Sequence, residues 1–187
     1  TMKRATVLAH EQLTAVLRAG DLAIDATLGN GHDALFLAGL VGEEGRVIGF
    51  DIQDQAIESS QRRLTEAGVM ERCELVEASH ARMRDFVPAE LSAVTFNLGY
   101  LPGADQGMIT RSRTTLEALK VSLEVLRSGG VITCVCYPGH PGGLEEAEEV
   151  LAWAVRLPDH FRVEFHNEKG RHEGRPFLVS VWRLPVT

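Results

Sequence analysis

The chain has 187 residues, of which 44% are hydrophobic, and a formal net charge of −7. This length is enough for one well-buried core and short for two, so we expect a single domain over residues 1–187. The acidic balance argues against a non-specific nucleic-acid binder, although local clusters of Lys and Arg can still contact phosphates.

No run of about eighteen apolar residues predicts a membrane span, and residues 1–10 lack the apolar core of a signal peptide. Three cysteines, Cys73, Cys134 and Cys136, lie in β-branched apolar stretches without CxxC spacing. They predict buried thiols in a reducing cytosol rather than metal ligands. We therefore expect a cytoplasmic protein with no metal site and no membrane partner.

Strand-like and helix-like runs alternate along the whole chain, as is typical of a parallel sheet with crossover helices. The predicted helices span about 6–18, 32–41, 54–67, 112–127 and 144–156. The predicted strands span 22–27, 46–51, 73–77, 93–97, 131–136, 161–167 and 177–183. The helix at 112–127 should stop at Gly129-Gly130, and the four glutamates that open the helix at 144–156 should form a solvated face.

The last two predicted strands are joined by a basic loop with no helix between them, which requires an antiparallel pair. Five βα units followed by such a hairpin predict the Rossmann-like fold of class I methyltransferases. This α/β fold has a seven-stranded, mostly parallel sheet with a C-terminal antiparallel hairpin and helices on both faces. Right-handed crossovers place every strand-to-helix loop at one edge of the sheet, where the ligand is expected.

A strand-to-helix turn spans residues 25–31 with the sequence Asp-Ala-Thr-Leu-Gly-Asn-Gly. Its glycines let the backbone approach a ligand closely, but the pattern alone also fits a dinucleotide fingerprint or a plain tight turn. Carboxylates at Asp25 and Asp33 would repel a pyrophosphate and attract the ammonium and sulfonium of S-adenosylmethionine. Charge therefore favours S-adenosylmethionine over a nicotinamide cofactor.

Further candidates follow the second and third predicted strands. Asp51 is placed to accept hydrogen bonds from both ribose hydroxyls, a feature shared with NAD enzymes, and Gln53 could reach the adenosine. Ser79 and His80 could hydrogen-bond the adenine edge, although a histidine in a loop is as often solvated.

The fourth predicted strand ends in Asn97-Leu98-Gly99-Tyr100, which resembles the Asn-Pro-Pro-Tyr motif of methyltransferases acting on nitrogen, without its prolines. The Asn97 amide oxygen and the Leu98 carbonyl can accept N–H bonds from an amine and aim its lone pair at the methyl group. Tyr100 and Tyr137 could wall the acceptor or stack on a base, or could simply pack the loop edge.

These segments, with the Tyr-Pro-Gly-His-Pro-Gly-Gly run at 137–143, resemble a family of stand-alone bacterial proteins once described as rRNA methylases and now understood as tRNA wobble-uridine methyltransferases. The resemblance spans roughly residues 5–183. It implies methylation of the aminomethyl nitrogen of 5-aminomethyl-2-thiouridine at tRNA position 34, with S-adenosylmethionine as the donor.

The resemblance also implies roles for individual residues. The implied cofactor contacts are Asp25, Asn30, Gly31, Asp51, Gln53, Ser79 and His80, to which the residues themselves add Thr27, Gly29, Asp33 and Asn97. The implied acceptor-site residues are Asn97, Tyr100, Tyr137 and His140, to which the backbone argument adds Leu98.

A tRNA substrate needs a basic surface near the ligand edge. The candidates for contacts to an anticodon stem-loop are Arg111, Arg113, Lys169, Arg171 and Arg175. These cations could equally be ordinary solvated side chains. The sequence leaves open whether the chain forms a homodimer.

Three other functions stay open at this point: methylation of another RNA or of a small amine metabolite, nicotinamide-dependent oxidoreduction, and a purely binding, non-catalytic role. Asp25 and the terminal hairpin disfavour the oxidoreductase. The Asn97 motif beside a complete cofactor turn disfavours the binding module.

Overall fold

The structure is a computed structural model that describes residues 1–88, 90–99 and 112–186. Seven strands form one sheet in the order β3-β2-β1-β4-β5-β7-β6. The strands are β1 (Leu22–Asp25), β2 (Arg46–Asp51), β3 (Cys73–Glu77), β4 (Leu91–Asn97), β5 (Leu126–Cys136), β6 (Phe161–His166) and β7 (Phe177–Arg183). Strands β1 to β5 are parallel, whereas β7 runs antiparallel to both β5 and β6. The predicted fold class and terminal hairpin are confirmed.

In the described part of the chain, five α-helices and several short 3₁₀ helices cover the sheet. The α-helices are α1 (Ala5–Val16), α2 (His32–Val41), α3 (Asp54–Glu66), α4 (Ser112–Val125) and α5 (Gly143–Ala154). The described 3₁₀ helices are Met70–Arg72, His80–Asp85 and Glu168–Glu173. One core cluster joins the sheet to α1, α2 and α3, and a second joins it to α4, α5 and the 3₁₀ helix at 80–85. The sheet is therefore buried on both faces, as its long apolar strands require.

The segment between β6 and β7 differs from its prediction, because it contains the 3₁₀ helix Glu168–Glu173 instead of a plain loop. Asn167 and Gly174 bracket this helix in the left-handed region, with φ of 68° and 76°. The segment has no apolar residues to show a helical period, so its turn could not be read from the pattern.

The boundary between α4 and β5 also differs from its prediction. The helix ends at Val125, and Leu126 already pairs with Leu91 of β4. Arg183 Nη1 donates hydrogen bonds to the carbonyls of Leu123 and Leu126 at 3.3 and 3.0 Å. These bonds satisfy carbonyl groups at the helix end, so the glycine pair is not needed to stop the helix.

The acidic start of α5 is not uniformly solvated, contrary to its prediction. Glu146 is only 3% exposed, and its Oε2 accepts a hydrogen bond from Thr115 Oγ1 at 2.9 Å. Burial raises the pKa of Glu146 to about 7. The sequence alone does not distinguish Glu146, which is buried against α4, from the more exposed glutamates beside it.

All three cysteines are free thiols, with Cys134 and Cys136 buried and Cys73 only partly buried. Burial raises the pKa of the Cys73 thiol to about 11, which favours its neutral form. Among the residues that the structure describes, no helix is both long and apolar enough to cross a membrane.

The raised pKa of Glu146 predicts a pH-dependent stability. Between its unfolded pKa of 4.5 and its folded pKa of about 7, the folded state binds more protons, so the free energy of unfolding falls as pH rises through this range. Glu146→Gln should remove this loss and stabilise the protein relative to wild type by roughly 1–3 kcal/mol near pH 8, with a smaller difference near pH 5. Chemical denaturation at both pH values measures the effect.

Glu145→Gln is the matched control, because Glu145 lies on the same helix turn and is exposed. It should leave the pH dependence of stability unchanged. A Glu146→Gln protein whose stability follows the wild-type pH curve would contradict the assignment.

Candidate active site

The turn after β1 is tied to the turn after β2 by one carboxylate. Asp51 Oδ2 accepts the Gly29 N–H at 2.9 Å, and its Oδ1 accepts the Gln53 N–H at 2.9 Å. The two turns therefore meet around Asp51 at the carboxyl edge of the sheet. Gly29 and Gly31 have φ of 52° and 81°, in the left-handed region that favours glycine.

Helix α3 holds this turn from behind with side chains that sequence reasoning missed. Ser60 Oγ donates to the Gly29 carbonyl at 2.8 Å, and Arg63 Nε donates to the Asn30 carbonyl at 2.8 Å. A Cβ on Gly31 would lie 2.9 Å from Ser60 Oγ. The available signal was a serine at the buried helical position between Ala56 and Leu64.

The Asn30 side chain faces α3 as well, since its Oδ1 accepts a hydrogen bond from Ser59 Oγ at 3.0 Å. In this arrangement Asn30 contributes to the shape of the turn. Its predicted contact to the cofactor stays a prediction.

The carboxyl of Asp25 is wholly buried at the end of β1. Its Oδ1 accepts the Thr27 N–H at 3.1 Å, whereas Oδ2 has no hydrogen-bond partner among the described residues. Burial, with added repulsion from Asp33 and Asp51, raises the pKa of Asp25 well above its usual value. Burial therefore favours the neutral form of Asp25 in the free protein.

Asp33 lies in the first turn of α2 and pairs with a residue that carried no prediction. His10 Nε2 is 2.7 Å from Asp33 Oδ1, and the His10 ring stacks on Phe36. His10 belongs to α1, a helix whose amphipathic pattern gave no functional signal. The Asp25 oxygen that lacks a partner among the described residues, together with the Asp33 carboxyl, fits a site for a cationic ligand.

His80 lies under the turn after β1 and is only 7% exposed. Its Nδ1 donates to the Ala26 carbonyl at 3.0 Å, and burial lowers its pKa to about 4, so the ring is neutral. Ser79 Oγ accepts the Ala81 N–H at 3.2 Å and caps the following 3₁₀ helix. His80 thus supports the turn from within the fold, whereas the sequence placed it at an open edge.

An apolar surface at this edge was missed. Ile52 directly follows Asp51, and 48% of it is exposed. A large exposed side chain between Asp51 and Gln53 offers a face on which a flat ring can pack.

A cavity of about 350 Å³ opens beside the turn between β1 and α2, residues 26–31, which we call the cofactor turn. It is lined by Asn97, Gly99, Tyr137, Gly139, His140 and Gly174. The structure therefore brings together the predicted acceptor-site residues Asn97, Tyr137 and His140. Tyr100 lies outside the described residues.

Hydrogen bonds connect this cavity to the cofactor turn. The Asn97 N–H donates to Thr27 Oγ1 at 2.7 Å, so the end of β4 is fixed relative to the end of β1. Burial raises the pKa of the Tyr137 phenol, and a polar interaction with the nearby Asn97 side chain partly opposes this rise. His140 Nε2 lies 3.3 Å from the Leu98 carbonyl, while the Leu98 side chain is buried. Leu98 can act at this site only through its backbone.

The basic segment at 168–175 borders the same cavity. A Cβ on Gly139 would lie 2.9 Å from the Gly174 carbonyl oxygen, so the two backbones touch. Arg171 Nε pairs with Glu148 Oε1 at 2.8 Å, and Arg175 Nη2 pairs with Glu173 Oε2 at 2.8 Å. Both predicted RNA-binding arginines are therefore engaged with carboxylates in the free protein.

The other predicted RNA contacts are more scattered. Arg113 is exposed in the first turn of α4 and lies 3.3 Å from Glu117 on the same helix. Lys169 lies in the 3₁₀ helix beside Arg171. Arg111 lies outside the described residues.

This strand order, with its antiparallel seventh strand and its acidic turns at the carboxyl edge, defines a Rossmann-like methyltransferase fold. Solved structures agree with that class. A protein of Clostridium thermocellum described as a "putative rRNA-methylase" is 39% identical, with a TM-score of 0.94 over 98% of this chain and 100% of its own. A "putative methyltransferase" of Streptococcus mutans, solved in complex with SAH, is 34% identical, with a TM-score of 0.88 over 98% and 100% of the two chains.

Residues 47–181 match the family described as "Putative rRNA methylase", and the chain belongs to this family. A curated relative is the chloroplastic tRNA (mnm(5)s(2)U34)-methyltransferase of Arabidopsis thaliana, 45% identical over 166 residues. The match covers 83% of this chain and 61% of the Arabidopsis protein, so the chain spans under two thirds of that relative.

Proposed function

We propose that this chain is a single-domain, S-adenosylmethionine-dependent methyltransferase that methylates the aminomethyl nitrogen of 5-aminomethyl-2-thiouridine at position 34 of tRNA. The observation that carries the proposal is the hydrogen bond from the Asn97 N–H to Thr27 Oγ1. It joins a turn suited to a cationic donor to a polar cavity suited to an amine. The Arabidopsis relative is named for a reaction at this same nucleoside.

The residues at the first two turns fit S-adenosylmethionine, which when bound supplies a methyl group on a positively charged sulfur. The buried, unpartnered Oδ2 of Asp25 would accept from its ammonium group. Asp51, already oriented by two backbone N–H groups, would accept from the ribose hydroxyls with its remaining lone pairs. Ile52, Gln53 and Ser79 would border the adenine.

The turn residues have complementary roles in this proposal. The backbone of Gly29, Asn30 and Gly31 would approach the amino-acid part of the cofactor, because Ser60 and Arg63 fix its path. Thr27 would connect this turn to the acceptor cavity. His80 would support the turn by donating a hydrogen bond to the Ala26 carbonyl, and would not contact the adenine.

At the acceptor cavity Asn97 and the Leu98 carbonyl would accept N–H bonds from the substrate amine and aim its lone pair. The Tyr137 phenol interacts with the nearby Asn97 side chain, and His140 Nε2 lies 3.3 Å from the Leu98 carbonyl, so both acceptors would be oriented before the substrate arrives. Transfer by direct displacement depends on this orientation, provided that the amine is neutral when it attacks.

The basic segment would contact the anticodon stem-loop. Gly174 lines the cavity and directly follows the short 3₁₀ helix Glu168–Glu173. Lys169, Arg171 and Arg175 are therefore close to the acceptor site along the chain. Phosphates would replace Glu148 and Glu173 as partners of the two arginines. We place this reaction in the cytoplasm, since free thiols suit a reducing compartment.

Methylation of a small amine metabolite is the second candidate. Two observations speak for it: the net charge of −7, and the pairing of Arg171 and Arg175 with carboxylates. Incubating the protein with labelled S-adenosylmethionine and either undermodified tRNA or a panel of amines separates the two. Nucleoside mass spectrometry should find the label on the wobble uridine of tRNA, and labelling confined to the amine panel would contradict the tRNA proposal.

Two substitutions should separate cofactor binding from chemistry. Asp51→Ala removes the acceptor for the ribose hydroxyls and should raise the Kd of the cofactor by roughly tenfold to a hundredfold. Asn97→Ala should lower kcat by roughly a hundredfold with a much smaller change in that Kd, because it misorients the amine. Calorimetry and single-turnover rates measure the two effects, and equal losses of cofactor binding would show that Asn97 is misassigned.

The double variant Arg171→Ala/Arg175→Ala should weaken tRNA binding and reduce the slope of log affinity against log salt concentration by about two. Cofactor affinity should stay unchanged. The matched control is Arg46→Ala/Arg84→Ala, which removes two arginines outside the proposed site: Arg46 opens β2 at the opposite end of the sheet, and Arg84 lies in the 3₁₀ helix at 80–85. Equal tRNA affinity in the two double variants would contradict the proposed role of Arg171 and Arg175 in tRNA binding.

A further inference from the structure

The start of α1 packs against a wall of the acceptor cavity. Ala5 and Ala9 of this helix form a small core cluster with two residues of the sheet, Val135 and Leu178. Tyr137, which lines the cavity, packs against the same cluster. Buried apolar contacts therefore fix the first turns of α1 beside the acceptor site.

A side-chain hydrogen bond joins this end of α1 to the basic segment at 168–175. Asn167 Nδ2 donates to the Lys3 carbonyl at 3.0 Å. Asn167 directly precedes the 3₁₀ helix Glu168–Glu173 and has a φ of 68°, in the left-handed region that asparagine tolerates better than most residues. The same segment ends at Gly174, which lines the cavity. The two segments therefore meet at the rim of the cavity.

Two cations on these segments have no carboxylate partner within the described part of the chain. Arg4 directly follows Lys3, Lys169 lies in the 3₁₀ helix, and both side chains are exposed. Glu168, beside Lys169, is only partly exposed. The other two cations of the segment, Arg171 and Arg175, are paired with carboxylates. A phosphate can thus bind Arg4 and Lys169 without breaking an ion pair of the protein.

The start of α1 also exposes two large apolar side chains. Met2 is 66% exposed and Val7 is 45% exposed. Arg4 lies between them, and Val7 follows it by about one helical turn. Cations beside exposed apolar side chains suit a single-stranded nucleic acid, because the cations bind phosphates while the apolar groups contact bases that are not stacked in a duplex.

We propose that Met2, Arg4, Val7 and Lys169 form one RNA-binding surface at the rim of the acceptor cavity. Arg4 and Lys169 bind backbone phosphates, and the two apolar side chains contact unstacked bases of the loop that carries the target nucleoside. This inference rests on the proposed tRNA substrate. It assigns the larger share of the phosphate contact to the unpaired cations and the smaller share to the two paired arginines.

The double variant Arg4→Ala/Lys169→Ala tests the charged part of this surface. At about 50 mM salt it should raise the Kd for undermodified tRNA by roughly tenfold, and it should reduce the slope of log affinity against log salt concentration by roughly 1.5 to 2. The loss should exceed that of Arg171→Ala/Arg175→Ala, because those arginines give up ion pairs when they bind phosphate. Fluorescence anisotropy measures tRNA binding, and calorimetry should show unchanged affinity for S-adenosylhomocysteine.

Arg62→Ala/Lys120→Ala is the matched control. It also removes one exposed arginine and one exposed lysine without carboxylate partners among the described residues, on α3 and α4, whose described residues do not line the cavity. This control should keep tRNA affinity within about twofold of wild type. Equal losses in the control and in Arg4→Ala/Lys169→Ala would overturn the inference, whereas a wild-type protein that does not bind tRNA would overturn the proposed function instead.

The double variant Met2→Ser/Val7→Ser tests the apolar part. It should lower affinity for an anticodon stem-loop RNA by roughly threefold to tenfold with no change in the salt slope, since no charge is removed. Val155→Ser/Val186→Ser replaces two other exposed apolar residues and should have no effect. Affinity for an RNA duplex should not change, because its bases are stacked and paired. An equal loss with stem-loop and duplex, or no loss with either, would contradict the contact to loop bases.

Discussion

The burial of the Asp25 carboxyl is the constraint around which the candidate site is built. A buried carboxyl is costly when one of its oxygens has no hydrogen-bond partner, as is the case for Asp25 Oδ2 among the described residues. Burial favours the neutral form of Asp25, and its Oδ1 accepts the Thr27 N–H. Strand β1 lies between β2 and β4, so the carboxyl edges of both neighbours are brought to this one group. Asp51 and Asn97 thus flank Asp25 because of strand order alone.

The cofactor turn and the acceptor cavity belong to different parts of the chain. Strands β1 and β2 with α2 and α3 form the cofactor turn, while β4, β5 and the segment at 168–174 form the cavity. Asn97 belongs to both, because its backbone N–H donates to Thr27 and the residue lines the cavity. A small movement of β4 against β1 would therefore change the alignment of donor and acceptor.

Sequence periodicity was enough to predict the sheet and its ligand edge. The strands β2 and β3 begin and end where their apolar runs do, and a hairpin was required wherever two strands lacked a helix between them. Asp51 and Asn97 could be predicted as candidates because ligands in this fold bind at the carboxyl ends of the strands, where both residues lie. The 3₁₀ helix at 168–173 could not, since its glycines and charges carry no apolar period.

The side chains that were missed share a different physical origin. His10 and Ser60 reach the site from helices, and the burial of His80 and Glu146 depends on which neighbours pack over them. These are tertiary contacts between residues far apart in the chain. Periodicity can identify the buried face of a helix, but it cannot tell that a serine on that face donates to a distant carbonyl or that a histidine turns inward.

The contact between Gly139 and Gly174 limits how the acceptor cavity can change. At this wall the two backbones already touch without any side chain between them. Replacing Gly139 or Gly174 can only narrow the opening, because neither residue has a side chain that could be shortened. A larger acceptor would have to be accommodated at the lining residues that carry side chains, Asn97, Tyr137 and His140. These are the residues proposed to border and orient the amine, so a broader substrate range would come at the expense of that orientation.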